Sequence, residues 1–157
     1  MQLMTTPMKT HLNKEKLLFS RISSKLKFLK ARKCKERKDQ SRKKKTMDLV
    51  GLRLESWVAE GKYRLWYESM DSILEDLGLT AGELSMYCTA KLKKNFLSWR
   101  KELRMEEAKR LLLKDPEMPA SKIGKSLGIN DKSNFRHQFK SVTGLTPSQW
   151  REKFQKK

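Results

Sequence analysis

The fold is decided by residues 123–150, IGKSLGINDKSNFRHQFKSVTGLTPSQW. Ile123 and Leu127 have helical spacing, and Gly128 follows where a helix commonly ends in a left-handed residue. Asp131 is a typical N-cap for a second helix. The apolar positions of that second helix recur at helical spacing: Phe135, Phe139 and Val142. Two short helices joined by a glycine-containing turn are the arrangement of a helix-turn-helix.

A further helix is predicted directly after this pair. Gly144 is expected to end the second helix, and residues 146–149, TPSQ, form a capping box with proline at the first helical position. Trp150 and Phe154 are predicted to anchor the helix that this box begins. Residues 115–157 are therefore predicted to form one unit, a helix-turn-helix followed by a closing helix.

The same signals occur earlier in the chain. Ser69 is a typical N-cap, Gly78 stands where a helix ends, and Thr80 to Glu83 form a T-x-x-E capping box. The inward-facing positions of the two helices are Met70, Ile73, Leu74 and Leu77, then Leu84, Tyr87, Cys88 and the stem of Lys91. An earlier helix is indicated by the spacing of Leu54, Trp57, Val58 and Gly61. Residues 47–94 are therefore predicted to form a first helix-turn-helix unit.

A longer helix, about residues 96–113, is predicted between the two units. Its apolar positions recur along one side: Phe96, Trp99, Leu103, Ala108, Leu111 and Leu112. Asp115 and Pro116 should end this helix, and Pro119 should begin the next segment. Because no segment alternates like a strand, the sequence predicts an all-α fold of two helix-turn-helix units joined by a linker helix over 95–114. Periodicity alone also fits a plain helical bundle.

The positive charge is distributed unevenly along the chain. Its 157 residues carry 37 lysines and arginines against 18 acids, a net charge of +19. Residues 1–46 account for +13 of this charge, residues 47–116 are neutral, and residues 117–157 carry the remaining +6. Such an excess indicates a polyanionic partner, either nucleic acid or an anionic membrane surface. No apolar run approaches the roughly 18 residues of a membrane span, and two cysteines are too few for a disulfide framework.

Residues 1–46 form a basic arm with weak core signals. Its best apolar stripe is Leu18, Ile22, Leu26 and Leu29, flanked by lysines and arginines. Because blocks of like charge repel and stay solvated, the arm is expected to be partly helical or disordered. Two alternatives remain open. One is a helix lying on an anionic membrane through residues 14–46, and the other is a targeting peptide, although lysine bias disfavours an arginine-rich transit sequence.

Residues 123–135 resemble the signature of the AraC/XylS family of bacterial transcription regulators, in their C-terminal DNA-binding domain. The resemblance continues through Phe139-Lys140, Gly144, Thr146-Pro147 and Trp150-Arg151, and the end of the linker helix is matched by Leu103 to Ala108 and Leu111-Leu112. It covers about residues 54–154. The chain departs from the family pattern in having Gly124 for the usual alanine, Ile129 for phenylalanine and Asn134 for tyrosine.

The resemblance implies a sequence-specific regulator that reads the major groove of double-stranded DNA with an AraC-type domain over residues 47–157. It implies no cofactor, a location in the bacterial cytoplasm at the nucleoid, and RNA polymerase as a candidate partner. Operator, effector and oligomeric state are left open. The alternative function is a basic interaction protein that binds an anionic membrane surface, or binds nucleic acid non-specifically.

In the second unit, the second helix has a polar face opposite Phe135 and Phe139. At 100° per residue, the groups on that face and its flanks are Lys132, Ser133, Asn134, Arg136, His137 and Lys140. Arg136 is the strongest candidate for base readout, because a guanidinium can bind the O6 and N7 atoms of guanine with two hydrogen bonds. Lys140 is expected at a phosphate, and His137 can donate or accept.

The corresponding face of the first unit offers less to a base. Its outward positions are Gly82, Ser85, Met86, Thr89 and Lys93. None is arginine, asparagine or glutamine, and Met86 can make only apolar contact, as with a thymine methyl group. Residues 47–90 carry a net charge of −5, so this unit is predicted mainly to position the domain. Lysines at 91, 93 and 94 are expected at phosphates.

No arrangement of residues predicts catalysis or a metal site. Asp131, Ser133 and His137 are close in sequence, but a single exposed helix supplies neither a buried acid nor an oxyanion hole. The four zinc-type ligands include no closely spaced pair: His11, Cys34, Cys88 and His137. Residues 124–126, GKS, resemble the end of a phosphate-binding loop, but Pro119 stands where the loop's first glycine is needed. The sequence therefore predicts a binding protein rather than an enzyme.

Overall fold

The computed structural model describes the backbone of residues 8–155 and the side chains of residues 24–155. This described part consists of helices and turns without a strand, so the predicted all-α class is confirmed. The helices are α1 Met8–Ala59, α2 Met70–Leu77, α3 Ala81–Tyr87, α4 Phe96–Lys114, α5 Ala120–Ser126, α6 Lys132–Thr143 and α7 Pro147–Phe154. A 3₁₀ turn, Lys62–Arg64, follows α1, and a π-helical turn, Cys88–Leu92, extends α3.

The chain divides into two compact parts, Met1–Lys45 and Thr46–Lys157. In Met1–Lys45, the arm that was expected to be partly helical or disordered is helical from Met8 onward. Thr46–Lys157 contains the last turns of α1 and all of α2 to α7. The earlier helix predicted from Leu54 onward is this end of α1. Gly61 lies beyond α1 rather than on its buried face, and its φ of 73° turns the chain.

The predicted helix starts are confirmed at four N-caps. The side chain of Ser69 accepts a hydrogen bond from a backbone N–H of α2 at 3.2 Å, and that of Asp131 accepts one from α6 at 2.5 Å. Thr80 and Thr146 form complete capping boxes, each with the acid or amide three residues later. Such caps stabilise a helix by about 1 kcal/mol each, and here they set where the helices of both helix-turn-helix units begin.

Two hydrophobic cores lie within the Thr46–Lys157 unit. The buried residues of the first core are Val50, Leu54, Trp57, Tyr63, Ile73, Leu77, Leu79, Leu84, Cys88 and Phe96. The buried residues of the second core are Met105, Ala108, Leu112, Ile123, Leu127, Ile129, Phe135 and Phe139. The start of α4 belongs to the first core and the rest of α4 to the second. This helix therefore packs against both helix-turn-helix units.

Several side chains differ in burial from the sequence-based prediction. Lys91, which was predicted to bury its stem, is exposed because the π-helical turn rotates its positions away from the 3.6-residue period. Phe154, predicted as an anchor of α7, is 43% exposed and contacts Trp150 in a tilted arrangement, with ring centroids 4.3 Å apart. Met105 is fully buried although it lies outside the predicted apolar stripe of α4. Three members of that stripe are only partly buried: Trp99, Leu103 and Leu111.

Candidate nucleic-acid interface

Helix α6 presents a polar face to solvent. All six residues predicted to contact DNA from this helix are exposed: Lys132, Ser133, Asn134, Arg136, His137 and Lys140. Phe135 and Phe139, on the opposite side, are at most 1% exposed, and their ring centroids are 6.0 Å apart. The structure therefore separates a buried apolar side from an exposed side that carries three cations, a hydroxyl, an imidazole and an amide.

The approach of α6 to α5 depends on a glycine. A Cβ atom at Gly124 would lie 2.9 Å from Cγ of Phe135 and 3.2 Å from the carbonyl oxygen of Ile129. The first distance is shorter than normal carbon–carbon contacts, so the ring of Phe135 packs here against a residue without a side chain. An alanine at residue 124 would therefore require a shift of the helix that carries the candidate interface, or of the ring of Phe135.

The exposed side of α6 keeps its positive charge available. Within the described residues, none of the cations Lys132, Arg136 and Lys140 takes part in an ion pair. Gln138 was not predicted as a site residue, and its Nε2 donates to Oδ1 of Asn134 at 2.8 Å. The side chain of Asn134 is thereby held through its oxygen, and its NH2 group is the donor that it offers a partner. Cationic and amide donors suit phosphate oxygens and the acceptor atoms of purines.

The first unit presents a different face. Gly82, Ser85 and Thr89 are exposed, whereas Met86 is half-buried. Lys93 does not share the helical face with them, because it follows the π-helical turn in a left-handed conformation with a φ of 57°. The face therefore offers two hydroxyl groups and part of a methionine, and its capacity for hydrogen-bonded base readout is smaller than that of α6.

Two arginines of α4 hold the loop that precedes α2, and neither was predicted from the sequence. Arg100 donates from Nε and Nη2 to the carbonyl oxygens of Tyr63 and Leu65, at 3.2 and 2.5 Å. Arg104 donates from the same two nitrogens to the same two oxygens, at 2.7 Å each. Burial lowers the pKa of both guanidinium groups, and together with the charge of Arg100 it lowers the pKa of Arg104 to about 10. The guanidinium of Arg100 also lies 4.9 Å from the ring centroid of Tyr67.

A repeat in the sequence could have identified the first of these arginines. The N-cap residues of α4 and α7 are each followed, four and five positions later, by a tryptophan–arginine pair. The pairs are Trp99-Arg100 and Trp150-Arg151. Arg151 also donates to backbone carbonyl oxygens, that of Leu112 in the last turn of α4 and those of Asp115 and Met118 between α4 and α5. Each arginine therefore ties the start of a helix to the loop that enters its own helix-turn-helix.

The turn of the second helix-turn-helix contacts the loop held by the two arginines of α4. Gly128 has a φ of 70°, and a Cβ atom there would clash with the carbonyl oxygen of Arg64. The same atom would lie 3.0 Å from Nη2 of Arg104. The side chain of Arg64 also reaches Glu107 of α4, at 3.8 Å. These contacts link the loop of the first unit directly to the turn of the second.

The residues considered for catalysis and metal binding have other surroundings. Asp131 accepts a backbone hydrogen bond as the N-cap of α6, and Ser133 and His137 are exposed on that helix. No group of three or more metal-ligating side chains occurs among the residues that the structure describes, and the side chain of His11 lies outside them. Cys88 is buried, which raises the pKa of its thiol. None of the described helices combines the length and apolar character that crossing a membrane requires.

Comparison with known proteins supplies the family. Residues 73–153, about half of the chain, match a family described as "Helix-turn-helix domain". The arabinose operon regulatory proteins of Salmonella typhimurium and Escherichia coli are each 35% identical to this chain over 80 residues. The chain belongs to the helix-turn-helix family, in its AraC type. The matched part is 51% of this chain but only 28% and 27% of those two regulators, so the chain spans under a third of their length.

Two solved C-terminal domains of response regulators have the same fold as this chain. The C-terminal domain of AraT, a response regulator from Geobacillus stearothermophilus, superposes with a TM-score of 0.61 at 24% identity, over 69% of this chain and 88% of that one. The C-terminal domain of the two-component response regulator yesN from Fusobacterium nucleatum superposes with a TM-score of 0.56 at 29% identity, over 64% and 97%. The two structures therefore cover roughly two thirds of this chain.

Proposed function

We propose that this chain is a sequence-specific transcription regulator that binds double-stranded DNA through its AraC-type domain, residues 47–157. The observation that carries the proposal is the face of α6, where six polar side chains are exposed on a helix whose other side is packed into a core. The major groove, about 12 Å wide, admits a helix of this kind. The resemblance to two arabinose operon regulatory proteins supports the same function.

Within α6, we assign base readout mainly to Arg136. Its exposed guanidinium can form two parallel hydrogen bonds with the O6 and N7 atoms of guanine. Ser133 and His137 offer single hydrogen bonds to bases. The remaining polar groups are assigned to phosphates or to adjacent bases: Lys132, Asn134 and Lys140.

The first unit is assigned mainly to positioning. In this arrangement the two units enter successive major-groove segments on one side of the duplex, about 34 Å apart. Gly82, Ser85 and Thr89 allow α3 to approach the bases closely, and Met86 can make an apolar contact through its exposed part. Lys91, Lys93 and Lys94, all exposed, are assigned to phosphates.

The proposed function also implies a cellular location and an interaction partner. A regulator of this type acts on DNA in the bacterial cytoplasm, at the nucleoid, and RNA polymerase is the partner whose access to a promoter it would change. The proposal includes no cofactor and no catalytic step. The exposed donors of α6 are sufficient for binding, because readout needs hydrogen bonds and phosphate contacts rather than bond making.

Selection from a randomised duplex library tests this function. The parent chain should enrich a defined site, and Arg136→Ala should relax the preference at one base pair of that site. Lys114→Ala is the matched control, since it removes an exposed cation at the end of α4, and it should leave the enriched sequence unchanged. Recovery of the library by the parent without enrichment would contradict the proposal and favour non-specific binding.

A further inference from the structure

We infer that residues 24–45 of α1, hereafter the basic helix, are a second DNA-binding element that holds duplex phosphates irrespective of sequence. The inference goes beyond the readout proposed for α6 and does not depend on it. The basic helix lies in the Met1–Lys45 unit, outside the part of the chain that the family comparison covers.

The basic helix is both exposed and strongly positive. Every residue of the basic helix is exposed. The segment contains twelve cations, Lys25, Lys27, Lys30, Arg32, Lys33, Lys35, Arg37, Lys38, Arg42, Lys43, Lys44 and Lys45. It contains only two acids, Glu36 and Asp39. A helix with this charge attracts any polyanion and gains affinity by releasing the counterions of DNA.

The distribution of side chains around the helix favours a duplex over a membrane. A helix that lies on a membrane buries a continuous apolar face. At 100° per residue, Leu26 and Leu29 are about 60° apart, but Phe28 lies on the opposite side, about 160° from Leu26. Lys27, Lys35 and the other cations occur in every direction around the axis. No continuous apolar face therefore exists in this segment to enter the headgroup region.

The length of the basic helix matches a duplex. Twenty-two residues at 1.5 Å per residue give a helix of about 33 Å. One turn of duplex DNA is about 34 Å long and presents roughly twenty phosphates, because both strands carry one charge per base pair. A helix of this length can therefore contact phosphates across a full turn of the duplex.

The spacing of the cations links binding to helix stability. Like charges face each other at three- and four-residue spacing along the segment, as at Lys27 with Lys30 and at Lys33 with Arg37. The ion pair between Arg32 Nε and Glu36 Oε1, at 2.9 Å, opposes part of this repulsion. Repulsion at these spacings destabilises a helix, and neutralisation by phosphates removes it. DNA binding should therefore increase the helix content of this segment.

The test uses the full chain and a short duplex of arbitrary sequence. One variant replaces six lysines by glutamine, and the control replaces the same six by arginine: Lys27, Lys30, Lys33, Lys35, Lys38 and Lys43. Glutamine and lysine have similar helix propensities, so the glutamine variant changes charge rather than helix formation. Fluorescence anisotropy measures the dissociation constant between 50 and 200 mM salt, and circular dichroism measures helix content with and without duplex.

The glutamine variant should bind the duplex at least tenfold more weakly than the parent at 100 mM salt. Its slope of log affinity against log salt should be smaller by about 0.9 for each phosphate that the variant no longer neutralises. The arginine variant should match the parent, and duplex should increase helix content in the parent more than in the glutamine variant. The library preference set by α6 should survive all six substitutions, which separates a failure here from a failure of the proposed function.

Two results would overturn the inference. The first is a salt slope that is the same in the glutamine variant and the parent. The second is a glutamine variant that keeps its affinity for duplex but loses binding to vesicles containing about 30% phosphatidylserine. That outcome would make the basic helix a membrane-surface element instead.

Discussion

Arg100 and Arg104, one turn apart on α4, donate to the same two backbone oxygens, those of Tyr63 and Leu65. A carbonyl oxygen has two lone pairs and can accept from both arginines at once. The loop between α1 and α2 is thus attached to α4 by backbone acceptors, and the two positive charges lie side by side. Because the same loop contacts Gly128, this attachment also supports the turn of the second unit.

Because Arg100 and Arg104 share two acceptors, we expect that the effects of their substitution on the free energy of unfolding are not additive. Arg104→Met leaves both carbonyl oxygens bonded to Arg100 and removes a like charge beside it, so it should destabilise by only about 1 kcal/mol. The double variant Arg100→Met with Arg104→Met leaves both oxygens without these donors. It should cost about 1–3 kcal/mol more than the two single variants summed. Urea denaturation of the four chains measures this difference, and additivity within about 0.5 kcal/mol would show that the acceptors are not shared.

Alanine substitution of two helical glycines should change the free energy of unfolding in opposite directions. Gly82 on α3 has open space where its Cβ would be, so Gly82→Ala should stabilise by about 0.5–1 kcal/mol through reduced chain entropy. Gly124→Ala gains the same propensity but places Cβ 2.9 Å from Cγ of Phe135, and overpacking of a core costs about 1–3 kcal/mol. Gly124→Ala should therefore lower the free energy of unfolding. Equal stabilisation by both variants in thermal melts would contradict the packing of Phe135 on α5.

Alanine substitution of two glycines in the left-handed conformation should also differ in its cost to stability. Gly144 ends α6 with a φ of 77° and open space around its missing Cβ, so Gly144→Ala should cost only about 1–2 kcal/mol of backbone strain. Gly128 has a similar φ of 70°, but an added Cβ would clash with the carbonyl oxygen of Arg64. Gly128→Ala should therefore cost at least about 1 kcal/mol more than Gly144→Ala, because the loop must move.

Gly128→Ala should also weaken DNA binding beyond its effect on stability, because the displaced loop changes how the two units are linked. The measurement is a salt-matched affinity for a selected duplex at a temperature where both glycine variants are folded. Equal stability and equal affinity of the Gly128→Ala and Gly144→Ala chains would show that the contact at Gly128 does not link the two helix-turn-helix units.

The caps and apolar spacings predicted most of the fold because they are local signals. Ser69, Thr80, Asp131 and Thr146 each satisfy backbone N–H groups of the next turn, and a short stretch of sequence contains both partners. The π-helical turn after α3 was not predictable in this way. It moved Lys91 to the surface and took Lys93 off the helical face, although the residues around them fit an ordinary helix.

The candidate interface on α6 could be predicted from the periodicity of the sequence, whereas the arginine contacts that hold the neighbouring loop could not. Phe135 and Phe139 define the buried side, so the exposed positions between them could be predicted from the sequence. Arg100 was not predictable from periodicity, because a charged residue on an amphipathic helix is expected at the surface. Its role depends on carbonyl oxygens more than thirty residues away, and only the tertiary fold brings them within reach.

A cluster at Asp76 should make stability depend on acid pH. The carboxylate accepts hydrogen bonds from Tyr67 Oη, from Lys62 Nζ at 2.9 Å and from Trp57 Nε1 at 3.0 Å. The bond from Tyr67, followed by that from Lys62, lowers the pKa of Asp76 below its ordinary value of 3.8. A lowered pKa in the folded state contributes stability above about pH 3.8, and this contribution is lost as the pH falls towards the folded pKa.

Asp76→Asn should therefore destabilise the chain at pH 7 and flatten the loss of stability as the pH falls below about 3.8. Glu75→Gln on the same helix is the control, because it removes an exposed carboxylate outside this cluster. Urea midpoints at several pH values make the comparison. An acid-induced loss of stability as steep in Asp76→Asn as in the parent would place the responsible carboxylate elsewhere.

The last prediction is that the two helix-turn-helix units contribute unequally to readout. Arg136→Ala should cost about 1–3 kcal/mol of binding free energy and relax preference at one base pair, because it removes a bidentate donor. Lys140→Ala should weaken all sequences nearly alike and reduce the salt slope by about one unit, as expected for a phosphate contact. Met86→Ala should cost less than Arg136→Ala, since a half-buried methionine offers a base only apolar contact. Library selection with the parent and the three variants ranks them. If Met86→Ala removed more sequence preference than Arg136→Ala, α3 rather than α6 would be the main reader, and hydrogen-bonding capacity would not determine which unit reads the site.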